Sequence, residues 1–227
     1  MSDMPNQAYL NVWCTDFSED RIIERFSAFL QTVPFSATHP GFTSLTIRAV
    51  NASEQPILEQ DLRAMPLDAA GVTEIARDHV HGDCSCETSG YWDLATFDPG
   101  NGKSKIEPQT LEISCRGEDY DDALWRQNGH FEVNLGFEHF FTGHARLLGM
   151  RPGPSAPAES PEEARFLEAM AWPDNLEKYR DNTRENIRKL LEWLRRIEGA
   201  IPVERVQLWS EGEDNFEARL EEIAAAS

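Results

Sequence analysis

The stretch His79-Val80-His81-Gly82-Asp83-Cys84-Ser85-Cys86 gathers two imidazoles and two thiols, the ligand types that zinc prefers. Structural zinc sites separate paired cysteines by about two to four residues. Here only Ser85 stands between Cys84 and Cys86. The spacing also places His79 on the apolar stripe of a helix and His81 beyond its end. His79, His81, Cys84 and Cys86 are therefore a metal candidate by ligand type and not by spacing.

Cys115 and His130 flank an acidic connection, and a hairpin would set them near each other as nucleophile and base. Strand parity opposes this. Cys115 shares a face with Leu111 and Ile113, whereas His130 shares one with Glu132 and Asn134, so a regular pair points them to opposite sides. Neighbouring carboxylates also raise a thiol pKa, while a reactive cysteine needs positive surroundings.

Asp93, Glu112 and Glu132 fall in a row on the polar side of the same three segments. Like charges directly opposite are unfavourable, so Glu112 is expected to face Asn134 and Glu132 to face Ser114. If that side is wet, the row is a solvated surface. If helices cover it, the confined carboxylates would have raised pKa values or hold a cation, as a carboxylate- or metal-dependent hydrolase requires. Trp92, Trp125 and Phe140 are candidate aromatics for a small-ligand pocket. Glu118, Asp119, Asp121 and Asp122 match a calcium loop in composition but not in ligand order. His139 and His144 bracket Phe140-Phe141-Thr142-Gly143, and nothing in their spacing makes them converge. The phosphate-loop, nucleophile-elbow and His-Glu-x-x-His patterns do not occur.

The elements that must position these residues are strands at Gly90–Phe97, Thr110–Cys115 and Gly129–Phe141. Phe131, Val133, Leu135 and Phe137 point one way and Glu132, Asn134 and Glu138 the other, the period of a half-buried strand. Trp92, Leu94, Leu111, Ile113 and Cys115 extend the apolar side. Upstream, Ala8–Thr15 reads as a strand. Ser18 then caps a helix with Ile22, Phe26, Phe29 and Leu30 on its inner face. Phe42–Val50 is a second strand, and a right-handed crossover is expected between the two. Pro56–Arg63 is an edge-strand candidate, and Asp68 caps a helix whose inner face is Val72, Ile75, Ala76 and His79 or Val80. This order suits a ferredoxin-like sandwich for the first hundred or so residues.

Prolines and glycines break the pattern over 149–160. Ser160-Pro161-Glu162-Glu163 then carries a capping serine, a first-turn proline and a capping-box glutamate. A long helix over Asp174–Glu198, stopped by Gly199, presents Leu176, Thr183, Ile187, Leu190, Leu194 and Ile197 as a packing stripe. Val203–Trp209 is a further strand and Asn215–Ile223 a last helix. Leu10-Asn11-Val12-Trp13-Cys14 and Val206-Gln207-Leu208-Trp209-Ser210 echo each other faintly.

The expected fold is thus α+β: a mainly antiparallel sheet with helices packed on one side and a helical C-terminal part. The expected organisation is a sheet domain over 1–148, a Pro/Gly-rich linker over 149–160 and a helical subdomain over 161–227 docked by its stripe. The chain has 227 residues, 40 of them acidic and 21 basic, for a net charge of −19. That field repels phosphate backbones and anionic lipid, which excludes nucleic acid and membrane as first partners and favours a basic protein. No apolar run reaches membrane-spanning length and the first residues lack a signal-peptide pattern. Four scattered cysteines do not make a disulfide framework. The expectation is a cytoplasmic, non-enzymatic protein-binding module without a cofactor, with the hydrolase and the small-ligand module as alternatives.

Overall fold

The computed structural model describes residues 6–144 and 160–225. Its strands are β1 (Gln7–Cys14), β2 (Phe42–Ala49), β3 (Leu58–Asp61), β4 (Cys84–Asp98), β5 (Lys103–Arg116), β6 (Phe131–Phe137) and β7 (Val203–Ser210). They form one sheet in the order β3-β2-β4-β5-β6-β1-β7, with every neighbouring pair antiparallel. The helices are α1 (Ile22–Leu30), α2 (Ala69–Arg77), α3 (Trp125–Asn128), α4 (His139–Thr142), α5 (Pro161–Met170), α6 (Pro173–Ala200) and α7 (Phe216–Ala225).

The fold is α+β, and the strand order settles how its first hundred residues are used. β1 and β2 lie three strands apart, separated by β4, β5 and β6. A split β-α-β unit sets a single strand between the two that its helix joins, whereas three stand between β1 and β2 here, so a ferredoxin-like arrangement of this segment is not borne out. Instead β1 sits between β6 and β7, with Leu10 opposite Val133 on one side and Leu208 on the other. The two segments that echo each other in sequence are direct antiparallel neighbours.

The apolar parity holds across the sheet. Leu10, Val12, Leu45, Ile47, Trp92, Leu94, Leu111, Ile113, Phe131, Val133 and Leu135 are all buried in one core. Helix α6 crosses β4 and β5 and inserts Ile187, Leu190, Trp193 and Ile197 into that same core. Phe29 of α1 stacks on Phe131 with ring centroids 4.3 Å apart, and Trp193 Nε1 donates to Thr32 Oγ1 at 2.9 Å. The C-terminal segment therefore supplies a strand to the sheet and side chains to the core. The 149–160 connection lies outside the described residues apart from Ser160.

Boundaries move where local signals are weak. Asp68 accepts from Gly71 N–H at 2.8 Å and Ser160 from Glu163 N–H at 3.0 Å, so both caps form. Ser18 instead precedes a single 3-10 turn, Glu19–Arg21, with no side-chain cap, and α1 starts at Ile22. β4 and β5 make a hairpin paired from Ser85–Arg116 to Asp98–Lys103, longer at both ends than the apolar alternation. Asp98 Oδ1 accepts from Gly100 N–H at 2.8 Å in its turn, and Gly102 takes φ 66°, which favours glycine. β6 stops at Phe137 and the chain turns into α4, where a continued strand was expected. Gly199 does not stop α6, which continues to Ala200.

Candidate functional site

Alternation along each strand turns the sheet register into rows of side chains across the face opposite the core. One row is Asp61-Ser44-Ser89-Glu112-Asn134-Tyr9-Trp209, and the next is Glu59-Thr46-Glu87-Ser114-Glu132-Asn11-Gln207. Glu112 faces Asn134 and Glu132 faces Ser114, as charge avoidance requires. A third row carries Arg48, Ser85 and Arg116, with Trp13 and Arg205 further along. The long amphipathic helix packs on the opposite, apolar face, and Glu59, Asp61, Glu112 and Gln207 are exposed.

The arginine row balances the acidic one beside it. Arg48 Nη1 reaches Glu87 at 2.7 Å and Arg116 Nη2 reaches Glu132 Oε1 at 2.7 Å. Asn128 Nδ2 donates to the other oxygen of Glu132 at 2.8 Å. Asp93 accepts from Ala37 N–H at 3.0 Å. Asp93, Glu112 and Glu132 thus sit on three strands with separate partners and do not converge on a common centre. Arg205 lies 3.5 Å above the Trp13 ring and Tyr9 stacks on Trp209 at 4.3 Å.

The His79–Cys86 stretch is divided by the start of β4. Cys84 and Cys86 turn into the core, His79 is half-buried after α2, and His81 is exposed with Nδ1 3.6 Å from Glu19. The described residues hold no group of three or more His, Cys, Asp or Glu able to take a metal. Cys86 lies directly opposite Cys115, both buried, and burial raises both thiols far above the ordinary value.

Cys115 is turned into the core, and His130 precedes the first residue of β6. The imidazole of His130 is clamped between Phe17, at 4.1 Å, and Trp125, at 4.4 Å. Its Nδ1 accepts from the Cys14 N–H at 3.0 Å, which puts the ring proton on Nε2. Burial lowers the His130 pKa to about 4 and raises that of Cys14 to about 12. Neither group is poised as base or nucleophile near neutral pH. Of the three candidate aromatics, Trp92 is a core residue and Trp125 the lid on His130, so they form no common pocket.

Phe140 does line a cavity. It has a volume of about 1010 Å³ between the outer part of the β4–β5 hairpin, α4, α5 and α6, with Phe97, Phe166 and Tyr179 as its other aromatics. His139 and His144 also face it. His144 Nε2 lies 3.0 Å from Glu163 Oε1, and the His144 backbone N–H donates to Tyr179 Oη at 2.8 Å. Asn182 and Asn186 on α6 complete the polar lining. The sequence signal for them was a polar residue inside an apolar stripe, since Asn186 falls between Thr183 and Leu190 on the inward face.

A second concavity, of about 540 Å³, lies at the far edge of the sheet. Leu191 and Leu194 of α6, Val206 and Leu208 of β7, and Leu220 of α7 form its apolar lining, with Glu217 and Glu221 as its charged members. Glu217 Oε1 accepts from the Leu208 N–H at 2.8 Å. No family model, curated protein or solved structure matches the chain.

Proposed function

We propose that the protein is a non-enzymatic binding module that captures a basic protein partner through the acidic edge formed by β7 and α7. The placement of charge supports this reading. Residues 203–225 carry seven acids, including Glu204, Asp214, Glu217 and Glu221, against two bases. Both bases are engaged: Arg205 lies over Trp13 and Arg219 pairs with Glu222. The open sheet face is a weaker candidate, because its arginines sit beside its acids. Among the described residues no helix is long and apolar enough to cross a membrane.

Titration with deca-lysine at rising ionic strength, followed by amide hydrogen exchange, tests the reading. Charge-driven association weakens as salt rises, and protection is expected over Val203–Ser210 and Phe216–Ala225. Binding that ignores salt, or protection spread evenly over the acidic surface, contradicts it. A small-ligand reading has one observation in its favour: the cavity lined by Phe97, Phe140, Phe166 and Tyr179 sets aromatic walls beside polar side chains that include His139, His144 and Asn182. A thermal-shift screen tests that alternative, since a ligand bound only by the native state raises Tm.

A further inference from the structure

Building on the reading of a basic partner, we propose that the partner docks as an added strand on the free edge of β7, its inward side chains entering the groove between α6 and α7. β7 is the terminal strand of the sheet. Its register sets Leu208 opposite Leu10 and Val206 opposite Val12. The Leu208 N–H points away from β1, because it donates to Glu217. Antiparallel pairing alternates in direction, so the N–H and C=O of Val206 also face outward. Such an edge is a template for another extended chain.

The groove and its charge define the occupant. Val206 and Leu208 project toward the α6 side, where Leu191, Leu194 and Leu220 complete an apolar wall. A second copy would bring the same acids against this edge, at a net charge of −19 for each chain. A segment with apolar residues at alternate positions and lysine or arginine flanking them meets Glu217 and Glu221 favourably. Glu217 has a definite part in this exchange. Its carboxylate holds the Leu208 N–H in the free protein, and a partner carbonyl replaces it, leaving the carboxylate for a partner cation.

The probe is a fluorescein-labelled peptide, Lys-Lys-Val-Thr-Val-Thr-Val-Lys-Lys, read by anisotropy against the full chain. Val206→Pro deletes an outward N–H and leaves the ladder to β1 intact, a position where edge strands tolerate proline. Val206→Ala keeps the N–H and trims the groove. Binding is expected to fall about tenfold or more in Val206→Pro and to stay within about threefold in Val206→Ala, the pattern of lost backbone pairing. A peptide N-methylated at its valines gives the same readout on the unaltered protein and is expected to bind no better than Val206→Pro binds the parent. Equal binding by both peptides, or none by the parent, overturns edge docking. The deca-lysine titration then still decides the basic-partner reading by itself.

Discussion

Asn186 of α6 grips Ala95 of β4 by both of its backbone polar groups. Its Oδ1 accepts from the Ala95 N–H at 2.8 Å, and its Nδ2 donates to the Ala95 carbonyl at 3.0 Å and to the Phe140 carbonyl at 3.0 Å. The side chain is 1% exposed. One amide thus satisfies two backbone groups of β4 and one of α4, and fixes α6 and α4 to the long hairpin.

Replacing Asn186 by leucine keeps the branched outline of the side chain and removes all three bonds. Buried polar groups left unpaired cost about 1–3 kcal/mol each, partly relieved by relaxation. Denaturant unfolding of Asn186→Leu is expected to show a loss of about 3 kcal/mol or more, whereas Asn182→Leu, which removes one bond to the Thr96 carbonyl, loses less. Equal losses would show that the grip on Ala95 has no special weight.

The clamped imidazole of His130 makes stability depend on pH. In the unfolded chain the ring takes a proton as pH falls through its ordinary value, about 6.5. In the native state burial holds the pKa down to about 4. The stability that His130 contributes is therefore full above about pH 6.5 and is lost as pH falls toward 4, because the unfolded state binds the proton first. Carboxylates titrate over the lower part of that window, so the comparison is with His130→Gln. The wild-type Tm is expected to drop more steeply than that of the variant between pH 6.5 and 4. Parallel curves would place the ring in contact with water.

Thiol chemistry gives a third expectation. Cys14, Cys84, Cys86 and Cys115 are all reduced and buried, and burial raises the pKa of each. Thiolate is the reactive form. A chromogenic disulfide reagent at pH 8 is expected to label almost no thiol in the native protein and all four in denaturant. Rapid labelling of a native cysteine would contradict the packing of this end of the sheet.

Legibility followed the reach of each interaction. Parity along Phe131, Val133 and Leu135 is a local property, and it gave the right buried face for three strands before any fold was known. The beginning of β4 was harder, because Cys84, Cys86 and Thr88 alternate inward without strong apolar character. Lys103–Gln109 of β5 runs beyond the main core, so no alternation marks it. Strand order lies deeper still. β1 meets β7 across almost the whole chain, and no nearby residue encodes that choice. Asn186 was visible only as a polar interruption of a stripe, since its partners are backbone groups on β4 and α4. The groove beside β7 needed three elements in place before its walls existed.

The central claim is that the β7–α7 edge, and not acidity in general, receives the partner. Two triple variants with the same net charge separate these. Glu204, Asp214 and Glu221 are changed to lysine at the edge, and Glu54, Glu59 and Glu168, exposed elsewhere, are changed likewise in the control. The Kd for deca-lysine at low salt is expected to rise at least about tenfold more in the edge variant than in the control. Equal weakening in the two would contradict the account.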